Sequence, residues 1–402
     1  MAKQTDSKTN VENLSKCPHL RFPEFHEEWE EFKLKDIAKM YDGTHQTPKY
    51  VQQGIPFYSV ENVTANNFSK TKYIAKDIFE KENKRVKIEQ GDILMTRIGD
   101  IGTAKYIDWN VQASFYVSLA LIKPNKSYSG QYIAHYISTN KFQSELWNRT
   151  IHVAFPKKIN LGEIGECLIN IPCSSEQNQI AACLSLIDER IECQKKIIEG
   201  LTSFKSAVSK KIFSQELRFK DENGEYFPDW EIVQIKDIFK ITRGNVLSML
   251  LVSKEKTHDY QYPVFSSQTQ NNGLAGFYNN FLFENAITWT TDGAGAGDVN
   301  YRSGKFYCTN VCGVLINQEG YANQFIAEMI NSVSRKYVSY VGNPKLMNNV
   351  MSEIPIKIPM SMKEQQKISS FLVTLNQKID LETALLQQLK LQKQYLLQQL
   401  FI

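Results

Sequence analysis

Two stretches decide how this chain folds: Ile169-Asn170-Ile171-Pro172-Cys173-Ser174-Ser175-Glu176-Gln177 and Ile356-Lys357-Ile358-Pro359-Met360-Ser361-Met362-Lys363-Glu364-Gln365. In each, a short apolar-alternating run reads as a strand and proline stops it. An S-x-x-[E/Q] spacing follows, Ser174 with Gln177 and Ser361 with Glu364. That spacing predicts a capping box, in which the serine hydroxyl and the Glu/Gln side chain satisfy N–H groups left free at a helix start. A heptad seam comes next in both places, with steps alternating four and three. The first seam is Ile180, Leu184, Ile187, Ile191, Gln194, Ile198, Leu201, Lys205, Val208, Ile212; the second is Ile368, Leu372, Leu375, Ile379, Glu382, Leu386, Leu389, Lys393, Leu396, Leu400. Such a period argues for a coiled coil, and the polar interruptions at equivalent positions predict a specified register.

Working outward, the whole chain is duplicated. Trp29…Leu34-Lys35-Asp36-Ile37…Gly43 matches Trp230…Ile235-Lys236-Asp237-Ile238…Gly244, and Ile55-Pro56-Phe57-Tyr58-Ser59 matches Tyr262-Pro263-Val264-Phe265-Ser266. Ile93 to Gly99 matches Ile287 to Gly293, and Tyr132 to Ile137 matches Phe325 to Ile330. From Pro156-Lys157-Lys158-Ile159-Asn160 against Pro344-Lys345-Leu346-Met347-Asn348 onward, the spacing reads as constant through both Glu-Gln pairs. The repeat predicts an α+β architecture: a flexible lead-in over 1–24, a recognition domain over 25–170, a helix over 171–216, a second domain over 217–358 and a second helix over 359–402. Two matching seams in one chain reach high effective concentration for each other, so they are expected to pair with each other and run antiparallel. Thirty-eight residues from Glu176 to Phe213 would span roughly 55–60 Å, more than one ~34 Å turn of DNA.

Composition sets bounds. Of 402 residues 42% are hydrophobic, enough for two cores, and Lys+Arg 47 against Asp+Glu 43 is only mildly basic. Seven cysteines, odd in number and without C-x-x-C spacing, point to a reducing, cytoplasmic setting. No apolar run approaches the ~18 residues of a membrane span.

Catalytic signatures are missing. No phosphate-binding loop, nucleophile elbow or paired-histidine motif occurs, and the acidic flanks of Asp292-Gly293-Ala294-Gly295-Ala296-Gly297-Asp298 would repel phosphate. Cys308 and Cys312 fall in a strand-like run that does not suit zinc, so no metal site is expected. Non-catalytic binding is the expectation, as a reader of DNA or, alternatively, as a coiled-coil scaffold with two protein-binding domains. A fused nuclease or methyltransferase is the weaker rival.

Reading bases takes Arg, Lys, Asn and Gln on loops that can enter a groove, with hydroxyls and cations for the phosphates. The first domain offers Thr44, His45, Gln46 and Lys49 in one loop; Ser59, Glu61 and Asn62 after a strand; Arg97 at a strand end; and Asn148, Arg149, His152, Lys157 and Lys158 before the long helix. The second offers Arg243 and Asn245, then Ser266, Ser267 and Gln268, then Thr290 and Asp292, and finally Lys345 and Asn348. Singly, each reads first as a solvated surface residue; recurrence at equivalent places is the signal.

The duplicated Trp…Asp-Ile…Gly openings, Gly91-Asp92-Ile93-Leu94-Met95-Thr96-Arg97 and the twin Ile-Pro…Glu-Gln helix entries together resemble the specificity subunit of Type I restriction–modification systems, over essentially the whole length. The resemblance implies two target-recognition domains, each reading one part of a bipartite double-stranded DNA target. It also implies assembly with two modification methyltransferase subunits and two restriction/translocase subunits. Those partners would hold S-adenosylmethionine, ATP and Mg, with no cofactor in this chain. The second copy has Thr291 where the first has Arg97, so no role of that arginine carries over.

Overall fold

The repeated glycine of the Trp…Asp-Ile…Gly opening has a steric cause, the same in both copies. A Cβ on Gly43 would lie 2.2 Å from the Phe115 carbonyl oxygen, and one on Gly244 would lie 2.2 Å from the Cys308 carbonyl oxygen. Only glycine lets these backbones approach so closely. The computed structural model describes residues 17–402, in two units: residues up to Lys195 together with Leu385–Ile402, and Lys196–Ala384.

The first unit runs β1 (Glu30–Lys33), α1 (Leu34–Ile37), β2 (Ala38–Asp42), β3 (Tyr50–Val51), β4 (Ile55–Tyr58), α2 (Val60–Thr64), β5 (Lys72–Ile74), α3 (Lys76–Asn83), β6 (Ile93–Ile98), β7 (Asp100–Tyr106), β8 (Ser114–Phe115), β9 (Leu119–Pro124), α4 (Gly130–Ile137), α5 (Asn140–Asn148), α6 (Leu161–Gly165) and β10 (Leu168–Ile171). It then enters the 40-residue helix α7 (Ser174–Phe213). The second copy runs β11 (Glu231–Gln234), α8 (Ile235–Ile238), β12 (Lys240–Arg243), β13 (Tyr262–Phe265), β14 (Leu274–Tyr278), β15 (Phe283–Thr290), β16 (Val299–Cys308), β17 (Cys312–Ile316), α9 (Gln324–Ser334), α10 (Asn348–Ser352) and β18 (Pro355–Ile358). It ends in the 38-residue helix α11 (Met362–Gln399).

The sheets make the duplication exact in register. Strand order β2-β9-β6-β7 in the first unit reappears as β12-β17-β15-β16 in the second, which is extended by β13 and β14. Asp42 and Met95 both sit opposite Ala120, as Arg243 and Trp289 both sit opposite Gly313. The Trp289 ring lies across Gly313, where a Cβ would come within 2.1 Å of it, so the large side chain in one strand explains the missing one in the next. A two-stranded ribbon closes each copy, β1 with β10 and β11 with β18.

The one-piece spacing read from the sequence needs a correction. Ile159 N–H donates to the Arg97 carbonyl and Leu346 N–H to the Thr291 carbonyl, so Ile159 is equivalent to Leu346 and Lys158 to Lys345. The second copy is one residue shorter before that point and regains the residue between Pro359 and Glu364.

The capping boxes are also only partly realised. Glu364 N–H donates to Ser361 Oγ at 3.4 Å, but the Glu-Gln side chains serve tertiary contacts. Gln177 accepts from Ser129 N–H at the start of α4 and donates to the Pro172 carbonyl; Gln365 accepts from Asn323 at the start of α9 and donates to the Pro359 carbonyl. Glu176 pairs with Arg21 at 2.8 Å and Glu364 accepts from Trp230 Nε1 at 3.1 Å. Strand exit, recognition helix and long helix are thereby fastened together. Arg21 lies within the 1–24 stretch expected to be flexible, so the part of it from Cys17 on is tied down; Met1 to Lys16 lie outside the described residues.

Within the first unit, Ile180, Ala181 and Leu184 of α7 share a core with Leu396, Leu400 and Phe401, and Lys393 pairs with Asp188 at 2.6 Å. Within the second, Val208 and Ile212 share a core with Ile368 and Leu372. The head of α7 meets the tail of α11, and its tail meets the head of α11: the helices are antiparallel. Along the seam Ile191, Gln194 and Leu389 are buried, and Ile187, Ile198, Leu201, Leu375, Ile379, Glu382 and Leu386 are half-buried. The lysine interruptions are ion-paired, Lys205 with Glu328 of α9 at 2.8 Å and Lys393 with Asp188. Cys167, Cys308 and Cys312 are buried free thiols, and desolvation pushes Cys312 up to about 11 and Cys167 to about 12. Among the described residues no helix is long and apolar enough to cross a membrane.

Candidate nucleic-acid interface

In both units a loop is stapled to the turn that ends the central strand. In the first, Ile151 N–H donates to the Lys158 carbonyl, Gly99 N–H to the Lys157 carbonyl and Ile159 N–H to the Arg97 carbonyl, all at 2.8–3.0 Å. In the second, Ser339 N–H donates to the Lys345 carbonyl, Gly293 N–H to the Pro344 carbonyl and Leu346 N–H to the Thr291 carbonyl, at 2.8–3.0 Å. Lys158 bridges to Ile98 and Lys345 to Asp292. The sequence-predicted residues around Arg97, His152 and Lys157, and around Asp292 and Lys345, are thus brought together within their own units.

Exposure sorts these residues. In the first unit His45, Gln46, Lys49, Glu61, Asn148, His152, Lys157 and Lys158 are exposed. His45 bonds Asp42 at 2.6 Å, and Arg85 pairs with the same carboxylate at 2.6 Å. Those hydrogen bonds hold the Asp42 carboxyl below its usual range despite the opposing effect of burial. Arg149 is half-buried between Glu145 and Glu163, so its charge is already answered. Lys157 Nζ lies 4.5 Å over the Trp147 ring, against which His152 also packs.

Three of the first unit's residues proposed from the sequence as base or phosphate readers are turned inward. Asn62 is 5% exposed and uses its amide on the Ser59 N–H and the Asn67 and Lys70 carbonyls, building the turn after α2; Ser59 starts that helix. Thr44 is buried and donates to Glu82. Arg97 is 8% exposed, donates to the Ile159 carbonyl at 3.2 Å and has no partner for Nε, with burial pulling its pKa down. An arginine in a strand-end position cannot be told from a groove-facing one by sequence, because alternation alone does not say which face a neighbouring loop covers.

In the second unit Asn245, Gln268 and Lys345 are exposed, Ser266, Ser267, Arg243 and Asp292 are half-buried, and Lys345 stands 3.8 Å from Asp292. Thr290 is buried, and Asn348 donates to the Thr242 carbonyl at 3.4 Å while its Oδ1 is buried without a partner, so both face the interior. Ser266, Gln268 and Thr290 line a polar cleft of about 160 Å³ together with Arg302, which sequence reasoning missed. Arg302 stacks on Phe265 with its guanidinium carbon 3.7 Å from the ring centroid, donates to Thr288 Oγ1 at 3.0 Å and to the Asn272 carbonyl at 2.7 Å, and is lowered by desolvation to about 10. By register, Arg302 and Thr288 stand where the first unit has Ile107 and Leu94, both in an apolar core. The two copies therefore share a frame and differ in the chemistry set upon it.

A frame repeated twice, each copy presenting loops of exposed polar and basic side chains and ending in a long helix, defines a duplicated recognition protein. The model of the type I restriction modification DNA specificity domain matches residues 26–203 and again 228–391. This chain belongs to that family, and its function is DNA target recognition as a type I specificity subunit. A relative from Mycoplasma pneumoniae named as a type I specificity subunit N-terminus is 42% identical over 35% of this chain and 75% of its own length. Two further M. pneumoniae relatives are matched over only 44% and 47% of their lengths. The type I restriction enzyme MjaX specificity subunit of Methanocaldococcus jannaschii is 26% identical over 86% of this chain and 85% of its own. The crystal structure of the S subunit from M. genitalium shares the fold, with a TM-score of 0.68 at 18% identity, covering 96% of this chain and 99% of that one.

Proposed function

We propose that the two units read different halves of a bipartite double-stranded DNA target, with α7 and α11 setting the spacer between them. The observation that carries this is the shared frame with divergent chemistry: Thr291 for Arg97, Arg243 for Asp42, Arg302 for Ile107. Equal scaffolds fix how each half sits on the duplex, whereas unequal side chains select bases. A helix of 40 residues gives a reach of about 60 Å, which accommodates two sub-sites and the gap between them.

On this reading the chain itself is non-catalytic and works in the cytoplasm. It directs two modification subunits that methylate adenine with S-adenosylmethionine and two restriction subunits that translocate and cleave with ATP and Mg. Exchanging residues 28–170 for those of a relative, then mapping methylated adenines in cells carrying the complete system, tests it. One half-site changes and the other persists; a change in both halves refutes independent reading.

A further inference from the structure

The stapled loops carry apolar side chains at their tips. In the first unit Val153 is 97% and Phe155 103% exposed, beyond Trp147 at 56%; in the second Tyr340 is 68% and Val341 92% exposed. A single exposed apolar residue is ordinary. Here two stand on the same loop, at the same place in the frame, in copies whose other surface chemistry has diverged: Val153 and Val341 each lie two residues past the N–H that closes the loop. Leaving such a side chain in water forgoes the stabilisation its burial would bring.

The surroundings of the tips say what covers them. Along the chain the first is flanked by exposed His152, Lys157 and Lys158, and the second by exposed Lys336 and by Lys345, whose ammonium stands 3.8 Å from Asp292. A protein-docking patch would extend as contiguous apolar area with a polar rim. One or two apolar side chains standing out from a collar of cations instead suit a duplex, with phosphates on the lysines and the apolar group against unstacked base faces. In each unit two backbone hydrogen bonds tie the loop base to the strand turn and a third closes the loop on itself, so the tip is a supported wedge.

We propose that Phe155 with Val153, and Tyr340 with Val341, are wedges that enter a base step in each half of the target and kink it there. This rests on the DNA-reading function. It adds that part of the specificity is indirect: the wedged step is chosen for deformability, so pyrimidine–purine steps are favoured where no hydrogen-bonding side chain reaches.

The test uses the full chain co-purified with its modification subunits and a duplex carrying the methylated motif mapped in the host, with 2-aminopurine placed in turn at each step of the first half-site. One step brightens on binding with the native chain. With Phe155→Ala and Val153→Ala together that brightening is lost, affinity falls about tenfold to a hundredfold by loss of ring–base contact, and the slope of affinity against salt is unchanged. Phe155→Trp restores both signals. Lys157→Ala with Lys158→Ala does the converse, lowering affinity on all duplexes and reducing the salt slope. Unaltered 2-aminopurine emission and affinity in the double-alanine variant, with the lysine variant still weakened, overturns the wedge and leaves DNA reading standing. Loss of the modification subunits from the double-alanine variant on size exclusion overturns it in favour of a protein contact.

Discussion

Gly43 and Gly244 sit where any Cβ would overlap a carbonyl oxygen, so Gly244→Ala is expected to cost about 2–4 kcal/mol through forced backbone displacement. A lower urea midpoint with unchanged slope would report it. His135 is buried, bonds Ser185 at 3.1 Å and is lowered to about 4, chiefly by desolvation and then by Lys393. Its folded value lies below its unfolded one, so its contribution is complete above about pH 6.5 and is lost as pH falls toward 4. The slope is at most about 1.4 kcal/mol per pH unit, one proton taken up on unfolding. His135→Gln should flatten stability across that window; an unchanged slope would remove the assignment. Arg97 shows the opposite case. Its residue type suggested a base reader, and its position in the interior, which no pattern of neighbours encoded, withdrew it.

At the scale of elements, the Glu-Gln pairs repeat because each is a three-way junction. Gln177 and Gln365 are 2% and 0% exposed and join strand exit, recognition helix and long helix by matching bonds. Gln365→Ala leaves one Asn323 N–H and the Pro359 carbonyl without their partner and should cost about 1–3 kcal/mol by thermal or chemical unfolding. The seam makes a symmetric prediction. Leu184 and Leu372 are both fully buried at equivalent positions, so each alanine replacement should lose about 2–5 kcal/mol, with the Leu184 loss in the first unit and the Leu372 loss in the second by hydrogen exchange. Polar pairing at the helices has been redistributed between copies: His135, Asp188 and Lys393 in one, Glu328, Asn376 and Lys205 in the other. Lys205→Ala leaves Glu328 half-satisfied and should destabilise the second unit alone.

For the molecule as a whole, adding one heptad to each of α7 and α11 keeps the seam in phase and lengthens the ruler by about 10 Å, about three base pairs. Methylation mapping should then return both half-sites unchanged with a longer spacer; altered half-sites would sink the ruler. The duplication, the α+β class, the antiparallel helices and the family were all legible from sequence, because periodicity and repeated order survive divergence and do not depend on which contacts are made. Exposure did not survive in that way. Asn62, Thr44 and Arg97 look like Gln46, Lys49 and Lys157 in composition and loop setting, yet Thr44 and Arg97 bond to residues distant in the chain and Asn62 turns inward to build its own turn. Arg302 stands where the first copy has Ile107, so the repeat gave no sign of it, and nothing in the local pattern marks Phe155 and Val341 as exposed. Sequence alone determined that there are two readers on one frame. Which side chains those readers hold out was decided by the tertiary structure, because burial is set by the packing of remote segments and local pattern records only the chain's own periodicity.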